Sequence, residues 1–341
     1  MKSNLRSWHI PAMLALAGAI LGWSTVPLFL RSFIHEIDGW TANGVRYPIA
    51  GLFWLAPLIY FIRRGEVEKK YFLLAIPPAL LNIGSQTLWA WSVYFMEPGK
   101  LIFLHRISLV FAILGSFLLF KDERPLIRSS YFWYGLILSV TGFAGMNLMK
   151  TGIPWANSWK GLAIVFTCAM LFGLYGVFVR FFMGGGKPWI TFPIICLYTS
   201  AALFVMMLFL GEPRRIWDMQ TPRLVLLVVS ALTGIAIAHV CFYYAMQRLG
   251  VSISSSCQLI NPFITSVCSY YFFGEKLTLG QWIFGLFLIA GASFLLIAQQ
   301  HLGKHPAPVP ACPIAEIAEI AAPEESESLL QPEEILVTPK R

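Results

Sequence analysis

WSVYFMEPGKLIF at 91–103 and YYAMQRLGVSISS at 243–255 align at a constant offset of 152 residues. The same offset carries LLFKDERP (118–125) onto YYFFGEKL (270–277), which places Glu123 on Glu275. Upstream, STVPLFLRSF (24–33) matches GLYGVFVRFF (173–182), with Arg31 on Arg180. The chain is a duplication, and the nature of the duplicated unit decides the fold.

That unit is apolar. Hydrophobic residues make up 57% of the 341-residue chain and charged residues only 12%, with a mean hydropathy of +0.68. A water-soluble domain carries about 25% charged residues, so a bilayer is the solvent that suits this composition. Ten apolar runs lie near 11–30, 41–62, 71–95, 100–120, 131–149, 159–181, 189–210, 223–246, 252–273 and 280–298. Each is about the length of one bilayer crossing. Backbone groups in lipid must be bonded within the chain, so these runs are helices. RRGEVEKK (63–70), KDERP (121–125), GGGKP (184–188) and GEPRR (211–215) separate them.

Each half holds five runs, and an odd number makes the second half enter the membrane upside down. Inverted repeats with a binding site between them are a recurring carrier architecture. The expected fold is an all-α integral membrane protein of ten transmembrane helices in two inverted five-helix repeats. Its parts are a cytoplasmic N-terminus (1–10), a first repeat (11–150), a linker loop (151–158), a second repeat (159–300) and an acidic, proline-rich tail (301–341). The tail has too little apolar content to build a core and is expected to be disordered.

The net charge of +8 divides unevenly. From 304 onward seven Glu face Lys304, Lys340 and Arg341, a net of −4, which leaves +12 on the body. The basic residues sit in short clusters between apolar runs, so they read as loop charge that sets orientation, and nucleic acid is not an expected partner. With the N-terminus inside, inner loops hold thirteen Lys and Arg and outer loops eight. Both termini are therefore expected in the cytoplasm, in a multi-pass cell (inner) membrane protein. Lys2 and Arg6 before IPAMLALAGA imitate a signal peptide, but the run continues to Leu30 and nine more follow, which favours a retained first span.

Enzyme chemistry is not expected. Cysteines are scattered without a CxxC pair, HExxH is absent, and GGGKP lacks the spacing that cradles phosphate. No cofactor or metal is implied.

The exceptional stretch is LIFLHRISLV (101–110), which sets His105 and Arg106 among apolar residues. An arginine in hydrocarbon costs roughly 2.5–3.5 kcal/mol on insertion scales. The offset places Arg106 on Gln258, and Arg46 enters its own run at a similar depth. No Asp or Glu falls in the core of any run; Glu36, Asp38 and Glu97 are the nearest outer acids. Three readings of Arg106 stay open. It snorkels to outer water or pairs with Glu97 or Asp38, it joins Arg46 in an outer-facing cavity for an anionic group, or it bonds helix to helix. His105 reads as a proton carrier or a satisfied interior histidine.

Other runs supply a facing set. Gln258, Asn261 and Thr265 share one helix face, as do His239 and Tyr243, and Asn82, Gln86 and Trp89. Pro262 should free the carbonyl of Gln258, and Pro27 that of Trp23. The candidate cavity residues are thus Trp23, Arg46, Gln86, Trp89, His105, Arg106, His239, Tyr243, Gln258 and Asn261, with helix breaks at Pro27 and Pro262. Gly135, Gly142, Gly145, Gly285 and Gly291 should allow close helix approach. Glu123 and Glu275 should close their helices beside Arg124 and Lys276.

The stretch 243–296, with its small-residue turn, mid-helix Pro262, closing Gly274-Glu275-Lys276 and glycine-spaced last helix, resembles the second repeat of an EamA-type member of the drug/metabolite transporter superfamily. NGVRYPIAGLFWL (43–55) and GWSTVPLFLR in the first run resemble its first repeat. The similarity covers about 11–300 and omits the tail. It implies a secondary carrier that exports small polar metabolites (amino acids, nucleobases or related) or drug-like molecules by alternating access. One departure is that Val110 stands where the other half has Pro262, so the fourth run is expected to lack a break. The alternative is a membrane-embedded receptor or assembly factor acting through the tail. Expected partners are a small-molecule substrate and the lipid bilayer, with a homodimer and a cytoplasmic partner of the tail left open.

Overall fold

The computed structural model describes residues 10–149, 159–184, 186–249, 254 and 257–302, apart from the side chains of 122, 123, 188, 246, 247 and 299–302. The expectations for residues 1–9, the 151–158 linker, the tail beyond 302 and the Glu123 side chain lie outside the described residues.

Every regular element among the described residues is helical. In the first half these are α1 (Ile10–Ser32), α2 (Gly39–Arg63), α3 (Lys70–Leu74), α4 (Ile76–Phe95), α5 (Pro98–Leu104), α6 (Ser108–Leu119) and α7 (Ser130–Leu148). The second half has α8 (Trp159–Met183), α9 (Pro188–Leu210), α10 (Thr221–Ala231), α11 (Ala238–Leu249), α12 (Asn261–Phe273) and α13 (Leu279–Leu302). Counting α5–α6 and α10–α11 as single rods, seven helices among the described residues are long and apolar enough to cross a membrane. The remaining runs correspond to α4, which carries Asn82, Ser85 and Gln86; α7, with 19 residues; and α12, with 13.

The halves interleave. In the first half α1 packs on α11 and α12; in the second, α8 packs on α4 and α6. These are the same pairings with the repeats exchanged. α2 lies against α9, α5 against α12 and α7 against α13, each helix meeting its own repeat counterpart. The α7–α13 seam is made by absent side chains. A Cβ on Gly142 would sit 2.8 Å from the Phe284 carbonyl oxygen, and one on Gly291 2.6 Å from the Ser139 nitrogen. In lipid, where burial of apolar surface gives no drive, such backbone approach is what holds helices together. Gly285 instead accommodates the Phe103 ring of α5, 3.0 Å from where its Cβ would be.

Three rods are interrupted near mid-length. A 3₁₀ turn, Gln258–Ile260, leads into Pro262 of α12, as the missing proline N–H requires. The fourth run, expected to be continuous, is broken as well, by a 3₁₀ turn at His105–Ile107 between α5 and α6. Side chains hold this break in place of proline: the His105 ring is wedged between Trp89 and Phe172. α8 also crosses so closely that a Cβ at Gly173 would lie 2.3 Å from the Ser108 carbonyl oxygen. The third interruption is a π-turn, Leu232–Ile237, between α10 and α11. Pro27, by contrast, sits inside an unbroken α1. The next carbonyl after that of Trp23, at Ser24, accepts from the Thr265 hydroxyl at 2.8 Å.

Candidate functional site

A cavity of about 640 Å³ lies at the interrupted segments, and all ten cavity candidates line it: Trp23, Arg46, Gln86, Trp89, His105, Arg106, His239, Tyr243, Gln258 and Asn261. Its deep end is formed by buried residues, Val26, Arg46, Trp89 and Ile102. Its other end passes Ser116, Arg180 and Gly184, and Arg180 and Gly184 are exposed. The mouth is therefore where α8 ends and α9 begins. The expectation of a cavity open at the opposite, α4–α5 end is corrected: that end is packed shut.

The two deep arginines are held differently. Arg46, 1% exposed, donates from Nε to Ser230 Oγ (2.9 Å), from Nη1 to Asn43 Oδ1 (2.9 Å) and from Nη2 to the Ser230 carbonyl (3.3 Å). The π-turn that follows Ser230 frees carbonyls that need partners in lipid. Ala236 O receives Trp54 Nε1 at 3.1 Å, and Ile235 O receives His239 Nδ1 at 2.9 Å, so Nδ1 carries the proton. Arg46 is thus a structural strut first.

Arg106 has one described hydrogen bond, from Nη1 to the backbone carbonyl of Gln258 at 3.3 Å. The carbonyl that proline frees is taken by the residue at the equivalent place in the other repeat, 152 positions away. Neither Glu97 nor Asp38 pairs with it. Asp38 caps α2 through Thr41 and also accepts from Glu212 N. No described ion pair includes Arg46 or Arg106. The Arg106 Nε and the Nε2 of His105 are buried without a hydrogen-bond partner.

Aromatic rings make the walls, and they too exchange between repeats. Trp23 of the first half meets His239 of the second at 5.2 Å, while Phe172 of the second meets His105 of the first at 5.0 Å. Phe192 stacks on the other face of His239 at 4.7 Å. Two stripe members turn away. Asn82 donates to Thr199 Oγ1 at 3.0 Å, and Thr265 is spent on α1, so neither lines the cavity. Gln86 does line it, and its backbone carbonyl accepts from Asn43 Nδ2 at 2.6 Å.

Sequence reasoning missed Phe172, Arg180, Thr191 and Phe192 as neighbours of the site. Setting VRYPI (45–49) on ITFPI (190–194) would have placed Arg46 on Thr191 and exposed Phe192. It also misplaced Glu275. This residue is 6% exposed and turns away from Lys276 to accept from the amides of Gly99 (2.7 Å) and Lys100 (2.9 Å) and from the Ser269 hydroxyl. Gly274, left-handed at φ +68°, ends α12 and aims it there.

A multi-pass helical protein whose two halves share one central cavity is the class this geometry defines. The sequence model of the EamA-like transporter family matches twice, over residues 10–148 and 159–297. The chain belongs to the EamA-like transporter family, as a membrane transporter built from two EamA repeats. It is 23% identical over 274 residues to an uncharacterized transporter of Haemophilus influenzae, covering 74% of this chain and 86% of that one. An uncharacterized transporter of Archaeoglobus fulgidus is 26% identical over 151 residues, 44% of this chain and 52% of that one. A solved crystal structure at 16% identity superposes with a TM-score of 0.57 over 85% of this chain and 98% of its own, a likeness of fold alone.

Proposed function

We propose that this transporter is a secondary carrier that exports small polar metabolites or drug-like molecules by alternating access. In this reading two inverted five-helix repeats make ten crossings, and both termini face the cytoplasm. The observation that carries it is a cavity lined from both repeats, with exposed Arg180 and Gly184 at one end and buried residues at the other. With the termini inside, its mouth faces the cytoplasm, the side from which an exporter loads. The exchanged pairings of α1 and α8 support two states of similar energy, because each half can pack as the other now does.

The test is counterflow into proteoliposomes that carry the full chain, screened with labelled amino acids, nucleobases and cationic drugs. A carrier accumulates labelled solute against trapped unlabelled solute. Flux that never exchanges, or that conducts without saturation, overturns the proposal in favour of a channel. Truncation after Leu302 should leave counterflow unchanged; its loss would favour the reading in which the tail is the working part.

A further inference from the structure

The charge of the cavity is one-sided. Arg180 stands at the mouth, Arg106 midway and Arg46 at the floor, and no Asp or Glu is among the described residues that line it. A guanidinium carries five N–H donors in a planar fork. Arg46 spends three on protein and is almost wholly enclosed, whereas Arg106 spends one. That bond leaves from Nη1. Of the rest, Nε has no protein partner but is enclosed, as is Nε2 of His105 in the same turn, so Nη2 is the donor left to meet an acceptor from the cavity. A charge-assisted hydrogen bond from a guanidinium to a carboxylate is among the strong ones. Trp23, Trp89 and Phe172 offer flat apolar walls around this point.

The geometry points to a carboxylate subsite at Nη2 of Arg106, specific for small organic monoanions with a flat apolar body. This rests on the carrier reading and names the ligand class of its cavity. Arg106 and Arg46 make the cavity positive, and among the described lining residues no carboxylate offers an organic cation a counter-charge. Arg46 ties α2 to Ser230 of α10 and adds positive potential from below without touching the ligand.

The test uses three flat probes of equal size: 2-naphthoate, its neutral amide and 2-naphthylmethylamine, measured by equilibrium dialysis against the full chain in nanodiscs. The wild type should bind the anion roughly ten- to a hundredfold more tightly than the amide, the effect of one hydrogen-bonded charge, and the cation least. Arg106→Gln should erase the preference for anion over amide while amide binding persists, which shows the cavity still folded. Arg106→Lys should keep part of the preference, because charge remains and the planar, fixed donor geometry is lost. Wild type that favours the amide or the amine, or binds no anion at millimolar concentration, overturns the subsite. So does Arg106→Gln with its anion preference intact. Counterflow separates the two readings: transport of amine or amide alone sinks the subsite and spares the carrier, while anion binding without any transmembrane flux does the reverse.

Discussion

The two ends of the cavity set the repeat-equivalent residues Arg31 and Arg180 in different surroundings. At the closed end Arg31 donates from Nη1 to the Val93 carbonyl at 2.6 Å, and Glu275 clasps the first amides of α5. At the open end Arg180, the counterpart of Arg31, lies with Cζ 4.2 Å over the Phe120 ring beside the mouth. Glycines tell the same story. Gly142 in the α7–α13 seam has backbone atoms where a Cβ would go, whereas Gly176 at the mouth has nothing within 4 Å. The difference between the ends thus lies in packing, since Arg31 and Arg180 are alike in sequence.

That contrast can be broken most directly at the clasp. Glu275→Ala removes a charged acceptor from two buried amides, each bond worth about 1.5–3 kcal/mol. Hydrogen exchange at Gly99 and Lys100 should rise on the order of a hundredfold, with exchange along α8 near the mouth unchanged. Equal protection in wild type and variant would mean that Glu275 does not hold this end.

The next effect sharpens the difference between the two deep arginines. Arg46→Lys keeps a buried charge and loses a three-bond fit, so unfolding in detergent should be easier by about 2 kcal/mol. Arg106→Lys, with one bond at stake, should cost less than half of that. The reverse order would make Arg106 the strut.

Packing gives a smaller pair of effects. Gly142→Ala places a Cβ 2.7 Å from Leu288 N and should cost about 1–2 kcal/mol of thermal stability. Gly176→Ala meets open space and should be neutral or gain up to about 1 kcal/mol from helix propensity. Similar losses at both sites would contradict a cavity open beside Gly176.

The smallest effect concerns acid. Burial first, and the Glu275 carboxylate second, hold the Glu97 carboxyl above the usual glutamate range, against the opposing pull of Arg31 and Lys100. A raised value means the closed end binds this proton more tightly than an opened, solvated one. Closure should strengthen as pH falls toward the carboxylate range and weaken as it rises. Exchange at Lys100, corrected for its intrinsic rate, would report this, and Glu97→Gln should flatten the dependence.

Sequence alone determined the solvent, the repeat and ten of the residues that line the cavity. Those follow from composition and from local spacing: apolar runs of bilayer length, an offset that sets Arg106 on Gln258, and polar residues too costly to keep in lipid without a use. Pattern along one helix says which residue types share a face, and that was sufficient to bring ten of them to one cavity. It could not say which bonds they make. Val110 in place of proline suggested an unbroken fourth run, yet a 3₁₀ turn is held there by Trp89 and Phe172, residues far away in the chain. The π-turn has no local signature stronger than Thr233–Gly234. Glu275 lies next to Lys276 in sequence but faces Gly99 across 176 residues, because a left-handed glycine turns it there. Which end is closed is likewise tertiary. The repeat writes both ends nearly alike, and only the packing of one half against the other selects one.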